Sequence, residues 1–185
     1  MNLNILNEFR HALYRCFESA RDSLFNCVDA LLSETQAQSL VELSLSLFFE
    51  RKWPSLYEAF EDGAVDRAEL RQLFAKYAPH QEADSAWLGV GVAASNIARP
   101  QSPTAEGRGC LFVHNLPECS KPITYGWQFS MLAVLLKTTS SWCYVLELLR
   151  ITTEQTAAQV AAEQLAALAK LDPQRMLVVA DRYYF

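Results

Sequence analysis

The sequence predicts a two-part chain of mixed α and β structure: an N-terminal helical bundle over residues 1–80, then an α/β unit over residues 87–185. Three observations carry this reading. Apolar residues recur at three-four spacing through most of the first eighty positions, which is the period of a helix with one buried side. After the polar stretch 81–85 they gather instead into short runs bounded by Pro, Gly and polar residues, as buried strands do. One segment rich in Ala, Leu and Gln, 157–171, then separates the last apolar run, 176–180, from the earlier ones.

In chain order, the apolar positions Leu3, Leu6, Phe9, Leu13, Phe17, Ala20, Leu24, Val28 and Leu31 predict a single long helix, thickened by Phe25 and Leu32. Glu8, Arg15, Glu18, Asp22 and Asp29 occupy its other side. Its use is packing within a bundle or a seam between two chains. A second helix is expected over 37–49, starting near Thr35 and burying Leu40, Val41, Leu43 and Leu47. The alternation of Leu43, Leu45 and Leu47 with Ser44 and Ser46 also fits a strand. Pro54 disfavours helix at the residue before it. Ser55 then caps a short helix containing Leu56, Tyr57 and Phe60, Asp62-Gly63 marks a turn, and Asp66 opens a helix to Tyr77 that buries Leu70, Leu73 and Phe74. Residues 1–80 thus read as all-helical.

Beyond the linker, Trp87–Ala94 is expected as a buried strand ending in a turn of small residues. Cys110–Asn115 is a second strand, Ile123–Leu136 a longer third, and Tyr144–Leu149 an additional short one. Pro100, Pro103, Pro117 and Pro122 fall in the connections, where a missing donor does no harm. Thr152 or Thr153 caps a helix with Glu154 and Gln155 in its first turn. Its body, 157–171, buries Val160, Leu165 and Leu168. Asp172-Pro173 stops it, and Met176–Ala180 is the last strand, followed by Asp181.

Composition bounds the function. With 51% hydrophobic and 20% charged residues, the 185-residue chain is globular and not disordered. No apolar run approaches the ~20 residues of a membrane span, and the N-terminus lacks the pattern of a secretion signal, so a cytoplasmic location is expected. The five cysteines contain no CxxC pair. Cys110, His114 and Cys119 offer three zinc-type ligands where a structural site needs four, and strand packing accounts for Cys110 and His114. Residues 1–86 hold 8 Lys/Arg against 14 Asp/Glu, and residues 87–185 hold 8 against 7. An acidic first half is a poor surface for duplex DNA, whose binding rests on phosphate neutralisation.

Three strands, a crossing helix and a fourth strand ending in Asp make the first half of a ribonuclease-H-like fold. Catalysis in that fold uses carboxylates at the tip of the first strand, at the end of the fourth and on a later helix. They hold two divalent ions that bracket a scissile phosphate, for which hard oxygen ligands and Mg²⁺ are suited.

The second half contains Ser95-Asn96-Ile97-Ala98-Arg99-Pro100, Val113-His114-Asn115-Leu116-Pro117, Lys121-Pro122-Ile123-Thr124 and Gly126-Trp127-Gln128-Phe129-Ser130. Arg150-Ile151-Thr152 and Ala161-Ala162-Glu163-Gln164-Leu165 follow, and the series closes on Asp181-Arg182-Tyr183-Tyr184. Through these segments the second half resembles the DDE-superfamily transposases of bacterial insertion sequences. The resemblance implies DNA at insertion-sequence ends as partner, Mg²⁺ as cofactor, and Asp181 as a catalytic carboxylate and metal ligand. Two departures stand out. The place of the first acidic residue is taken by Ala93, and the chain given ends at Phe185, before any third carboxylate of the pattern. A vestigial Asp181 alone cannot position two ions, so the expectation is a truncated and inactive enzyme. The alternative is a captured half kept as an interaction or regulatory protein, through self-association or a protein partner. A fragment competing for element ends is a third reading.

Plainer roles compete at each position. Arg99, Arg108 and Lys121 line a DNA track or are simply solvated; Arg182 contacts phosphate or forms a surface ion pair. Trp87, Trp127 and Trp142 are expected in the core, and Glu163 in solvent.

Overall fold

The computed structural model describes residues 3–79, 87–112, 123–136, 143–171 and 175–180. Two compact units divide between Leu73 and Phe74.

In the first unit the long helix is interrupted. α1 (Leu3–Arg15) and α2 (Arg21–Ser33) are separated by a three-residue strand, β1 (Phe17–Ser19). β1 pairs antiparallel with β2 (Ala64–Val65), Phe17 opposite Val65. This pairing takes up the backbone groups that a continuous helix would use and buries Cys16 and Phe17. Ala20, at φ 50°, turns the chain back into helix. The apolar period survives the break, which is why periodicity alone reads through it. The unit is therefore not all-helical. Arg10 donates to both Asp29 carboxylate oxygens and lies 4.9 Å from the Phe25 ring centre, joining α1 to α2.

The expected helix over 37–49 shrinks to α3 (Leu40–Leu43), one turn capped by Ser39, whose hydroxyl accepts from the Glu42 N–H. Turns follow. Leu43 is buried, but Val41 and Leu47 are exposed, Leu47 at 95%, because the helix that would have turned them inward is absent. α4 (Trp53–Asp62) includes Pro54 in its first turn, where no N–H is needed, so Pro starts this helix and Ser55 is not its cap. Leu56 is buried while Tyr57 and Phe60 face solvent. α5 (Arg67–Lys76) is capped as expected: Asp66 Oδ1 accepts from the N–H groups of Ala68 and Glu69, each at 2.9 Å. Leu73 is buried, with Leu70 and Phe74 half-buried. Cys27, Ala30, Leu43, Phe49 and Leu56 form the core of this unit. The expected linker 81–85 lies outside the described residues.

The second unit is a mixed sheet of five strands: β3 (Leu88–Ala98), β4 (Gly109–Phe112), β5 (Ile123–Val134), β6 (Tyr144–Ile151) and β7 (Met176–Ala180). The order is β4-β5-β3-β7, and β6 also pairs with β5. β3, β5 and β6 form an antiparallel meander, and β7 lies parallel to β3. A parallel neighbour requires a crossover, which α6 (Ala157–Leu171) supplies. Three antiparallel strands, a helix and a parallel fourth strand beside the first are compatible with a ribonuclease-H-like fold.

Several expectations change. The strand from Trp87 does not turn at Ala94 but runs to Ala98, held by β5 through the pair Ala98↔Gly126. Tyr144–Ile151 is a full strand and the third of the meander, paired from Gln128↔Ile151 to Val134↔Tyr144. The shorter β4 is the accessory strand, pairing with β5 from Gly109↔Gly126 to Phe112↔Ile123. The helix begins at Ala157, and its cap is Thr156. The Thr156 hydroxyl accepts from the Gln159 N–H, and Gln159 Oε1 accepts from the Thr156 N–H at 2.8 Å, a reciprocal capping box. Thr152 instead bonds the Gln155 side chain.

Along β3, Leu88, Val90 and Val92 point toward α6 and pack with Leu132, Val134, Leu146, Ala161 and Leu168. Val160 is buried as expected, Leu165 only partly. β7 is less buried than its sequence implies: Leu177, Val178 and Val179 are 60%, 42% and 55% exposed, since its recorded strand partner is β3 alone. Trp87 is also outside the core, 48% exposed with Arg175 over its ring.

Candidate active site and its surroundings

The alternation of β3 places Gly91, Ala93, Ser95 and Ile97 on the face away from α6. Ala93 sits opposite Met131 of β5, and its neighbour Val92 sits opposite Ala180 of β7. Ala93 thus follows directly on the residue paired with the last residue of β7. Asp181 is the next residue after Ala180 and lies outside the described residues, as do Arg182, Lys121, His114, Cys119 and Trp142.

Position 93 carries a methyl group and no oxygen ligand. Its nearest same-strand polar neighbours, Ser95 and Asn96, are neutral. Among the described residues no three His, Cys, Asp or Glu side chains group as a metal site. Position 93 and the strand residues described beside it thus offer no carboxylate oxygen. Glu163, on the same helix turn as the buried Gln164, is exposed to solvent.

Next to this position the sheet is fixed to α6 by a buried polar pair. Ser130, opposite Ala94, donates from its hydroxyl to Gln164 Oε1 at 2.7 Å, and Gln164 Nε2 donates to the Ser130 carbonyl at 3.3 Å. Both residues are fully buried. The pair links two segments quoted above for the family likeness, and gives Gln164 a packing role that its sequence context conceals.

Toward the far end of β3 the connection to β4 folds back on the sheet. Arg108 Nη1 donates to the carbonyls of Arg99 (2.9 Å) and Pro100 (3.1 Å). The Glu106 carbonyl accepts from Trp127 Nε1 at 3.0 Å and from Arg150 Nη2 at 2.6 Å. Gly107 allows this closure with φ +62°; a Cβ there would lie 2.3 Å from the Arg150 guanidinium. Arg108 stacks on Tyr125, 5.1 Å from the ring centre, and Arg150 on Trp127 at 5.3 Å. Of the predicted DNA contacts, Arg108 is half-buried and Arg99 exposed, and the structure brings these two together through Arg108. Arg150 was missed as a cation of this cluster. Its signal was a lone Arg on the solvent-facing side of an alternating strand. Trp127 is partly buried but lies on the face away from α6, outside the core cluster in which it was expected, with Arg150 over its ring.

Where β4 and β6 meet along β5 there is a cleft of about 310 Å³, lined in part by Gly109, Gln128, Thr152 and Gln155. Its lining includes neither a carboxylate nor a cation, so it adds no acidic ligand of the kind a divalent-ion pair requires.

An antiparallel meander with a parallel fourth strand reached through a helix is the arrangement of a mixed α/β domain compatible with a ribonuclease-H-like fold. The family described as DDE superfamily endonuclease matches residues 12–184. The chain belongs to that family, whose members generally use divalent metal ions and act on DNA. No curated protein and no solved structure matches the chain. Among the described residues no helix is long and apolar enough to cross a membrane.

Proposed function

We propose that this chain is the N-terminal part of an insertion-sequence transposase without catalytic activity, with residues 1–80 as its helical N-terminal domain and 87–185 as the first half of the catalytic fold. The observation that carries the reading is Ala93. A pair of divalent ions needs several carboxylates converging on one point, and an alanine at the strand position level with the end of β7 removes one of them. This holds whatever follows Phe185. Asp181 is then a vestigial ligand, Mg²⁺ binding is not expected, and Arg99, Arg108, Lys121 and Arg182 are assigned to DNA at element ends.

Incubation of the purified chain with supercoiled plasmid and Mg²⁺ or Mn²⁺ tests this. Neither the chain nor its Ala93→Asp variant is expected to produce nicked circles above a metal-free control. Metal-dependent nicking by the unaltered chain would refute the proposal.

A further inference from the structure

The solvent face of a sheet is ordinarily polar, yet beyond Ala93 the face away from α6 is aromatic. Phe112 of β4 and Tyr125 of β5 are 61% and 51% exposed. In register, Cys110 lies opposite Tyr125 and Phe112 opposite Ile123, so the two rings stand on one side of the sheet end, with Trp127 next along β5. Three arginines border them. Arg108 lies over Tyr125, Arg150 over Trp127, and the Arg99 backbone N–H bonds the Tyr125 carbonyl at 2.7 Å.

The ion pairs recorded among the described residues are Arg10–Asp29 and Arg51–Asp22, both in the first unit, so none of these three arginines has a carboxylate partner there. A guanidinium has five N–H donors. Arg108 commits two of them to carbonyls and Arg150 one. Stacked on rings and tied to the 99–108 connection, Arg108 and Arg150 are pre-positioned with donors left for phosphate oxygens, while the exposed Arg99 guanidinium commits one donor to the Ala98 carbonyl at 3.4 Å. Exposed rings beside fixed cations match the chemistry of an unpaired nucleic-acid strand, whose bases stack on aromatic side chains while its phosphates meet the cations. A duplex hides its base faces and could engage only the arginines.

We propose that this face binds a single-stranded DNA segment, with phosphates held by Arg99, Arg108 and Arg150 and bases stacked on Phe112 and Tyr125. The inference rests on the DNA-binding part of the reading above and is independent of whether the chain cuts.

The test is fluorescence anisotropy with the whole 185-residue chain. The probes are a labelled oligothymidylate of about 12 nucleotides, within the usual footprint of such sites, and a duplex of equal length, across a range of salt. The single strand binds more tightly. Phe112→Ser and Tyr125→Ser each weaken it roughly tenfold and leave duplex binding unchanged. Phe112→Trp retains the affinity, which separates ring stacking from damage to the fold. Arg150→Ala weakens both forms and lowers the salt slope by about one unit. Equal affinity for the two forms, or indifference to both aromatic substitutions, overturns the platform while leaving DNA binding itself in place. Failure to bind either form overturns both. Displacement of the oligothymidylate by polyglutamate at equal charge would mark the face as a site for acidic peptide and also overturn it. Plasmid nicking would refute the inactivity reading alone.

Discussion

The buried pair Ser130–Gln164 offers a double-mutant cycle whose outcome follows from the structure. Both side chains are fully buried, and they exchange two hydrogen bonds of 2.7 and 3.3 Å. Gln164→Met keeps the side-chain length but withdraws the acceptor from the Ser130 hydroxyl and the donor from its carbonyl. A buried polar group deprived of its partner costs about 1–3 kcal/mol, so this single change should destabilise by about 2 kcal/mol. Ser130→Ala withdraws the donor from the Gln164 amide and should cost a similar amount, roughly 1–2 kcal/mol. With both changes made, the hydroxyl–amide mismatch disappears, and only the main-chain carbonyl of residue 130 still lacks its bond from position 164. An apolar pair of similar shape is close to neutral, so the double variant should lose only about 1 kcal/mol. The coupling energy is then on the order of 2 kcal/mol and favours the native pair.

Urea unfolding followed by far-UV circular dichroism measures this. With a slope of about 1–3 kcal/mol per molar urea, each single variant should shift the midpoint by roughly 1 M and the double variant by less than either. The chain has two compact units, so amide exchange at β5 is needed to assign the loss to the sheet. If the two changes add to within about 0.5 kcal/mol, the pair does not hold α6 to the sheet as argued.

Two further outcomes follow. Gly126 is opposite Ala98, and a Cβ on it would lie 2.1 Å from the Ile97 carbonyl oxygen and 3.0 Å from the Ala98 Cα. Gly126→Ala must therefore push β3 and β5 apart, and should lower stability by about 2–3 kcal/mol in the same urea titration; an unchanged midpoint would show that the strands are not so close. Burial raises the Cys27 thiol above its usual range, while Cys110 and Cys143 are exposed. Because the folded value is the raised one, the stabilising contribution is complete below the unfolded thiol pKa and is lost as pH climbs from there toward the folded value. Alkylation resolved by mass spectrometry should modify Cys110 and Cys143 well before Cys27 at pH 8, and equal rates would contradict the burial.

Much of the second unit was legible because strand and helix each leave a local mark. The apolar run at 176–180 and the Ala-rich segment 157–171 have the observed bounds. Less was legible where a tertiary partner decided the outcome. Ser95 and Asn96 look like a turn, yet the long β5 opposite keeps them in strand. Phe17 fits the helical stripe, yet two residues nearly fifty positions away draw it into a ribbon. The family chemistry pointed to position 93 from the motif alone. The cations grouped around Trp127 and Tyr125 could not be read the same way, because they come from the 99–108 connection and from β6, two segments that only the folded sheet brings together.

On the proposed reading an alanine stands at position 93 in place of a ligand, which is compatible with an intact sheet, and the register says why. Ala93 projects from the face opposite the core of Val90, Val92, Leu132 and Val134, so removing a carboxylate there takes nothing from the packing against α6. The segments that carry the family likeness do structural work instead. Gly126 lets two strands approach, Ser130 and Gln164 pair inside the fold, and Trp127 and Arg150 both donate to the Glu106 carbonyl. Those residues are held by the requirements of folding and would persist in a chain that no longer cuts DNA. The side chains of the quoted segments thus maintain the sheet, whereas position 93 lies away from the core packed against α6 and leaves that packing unaffected.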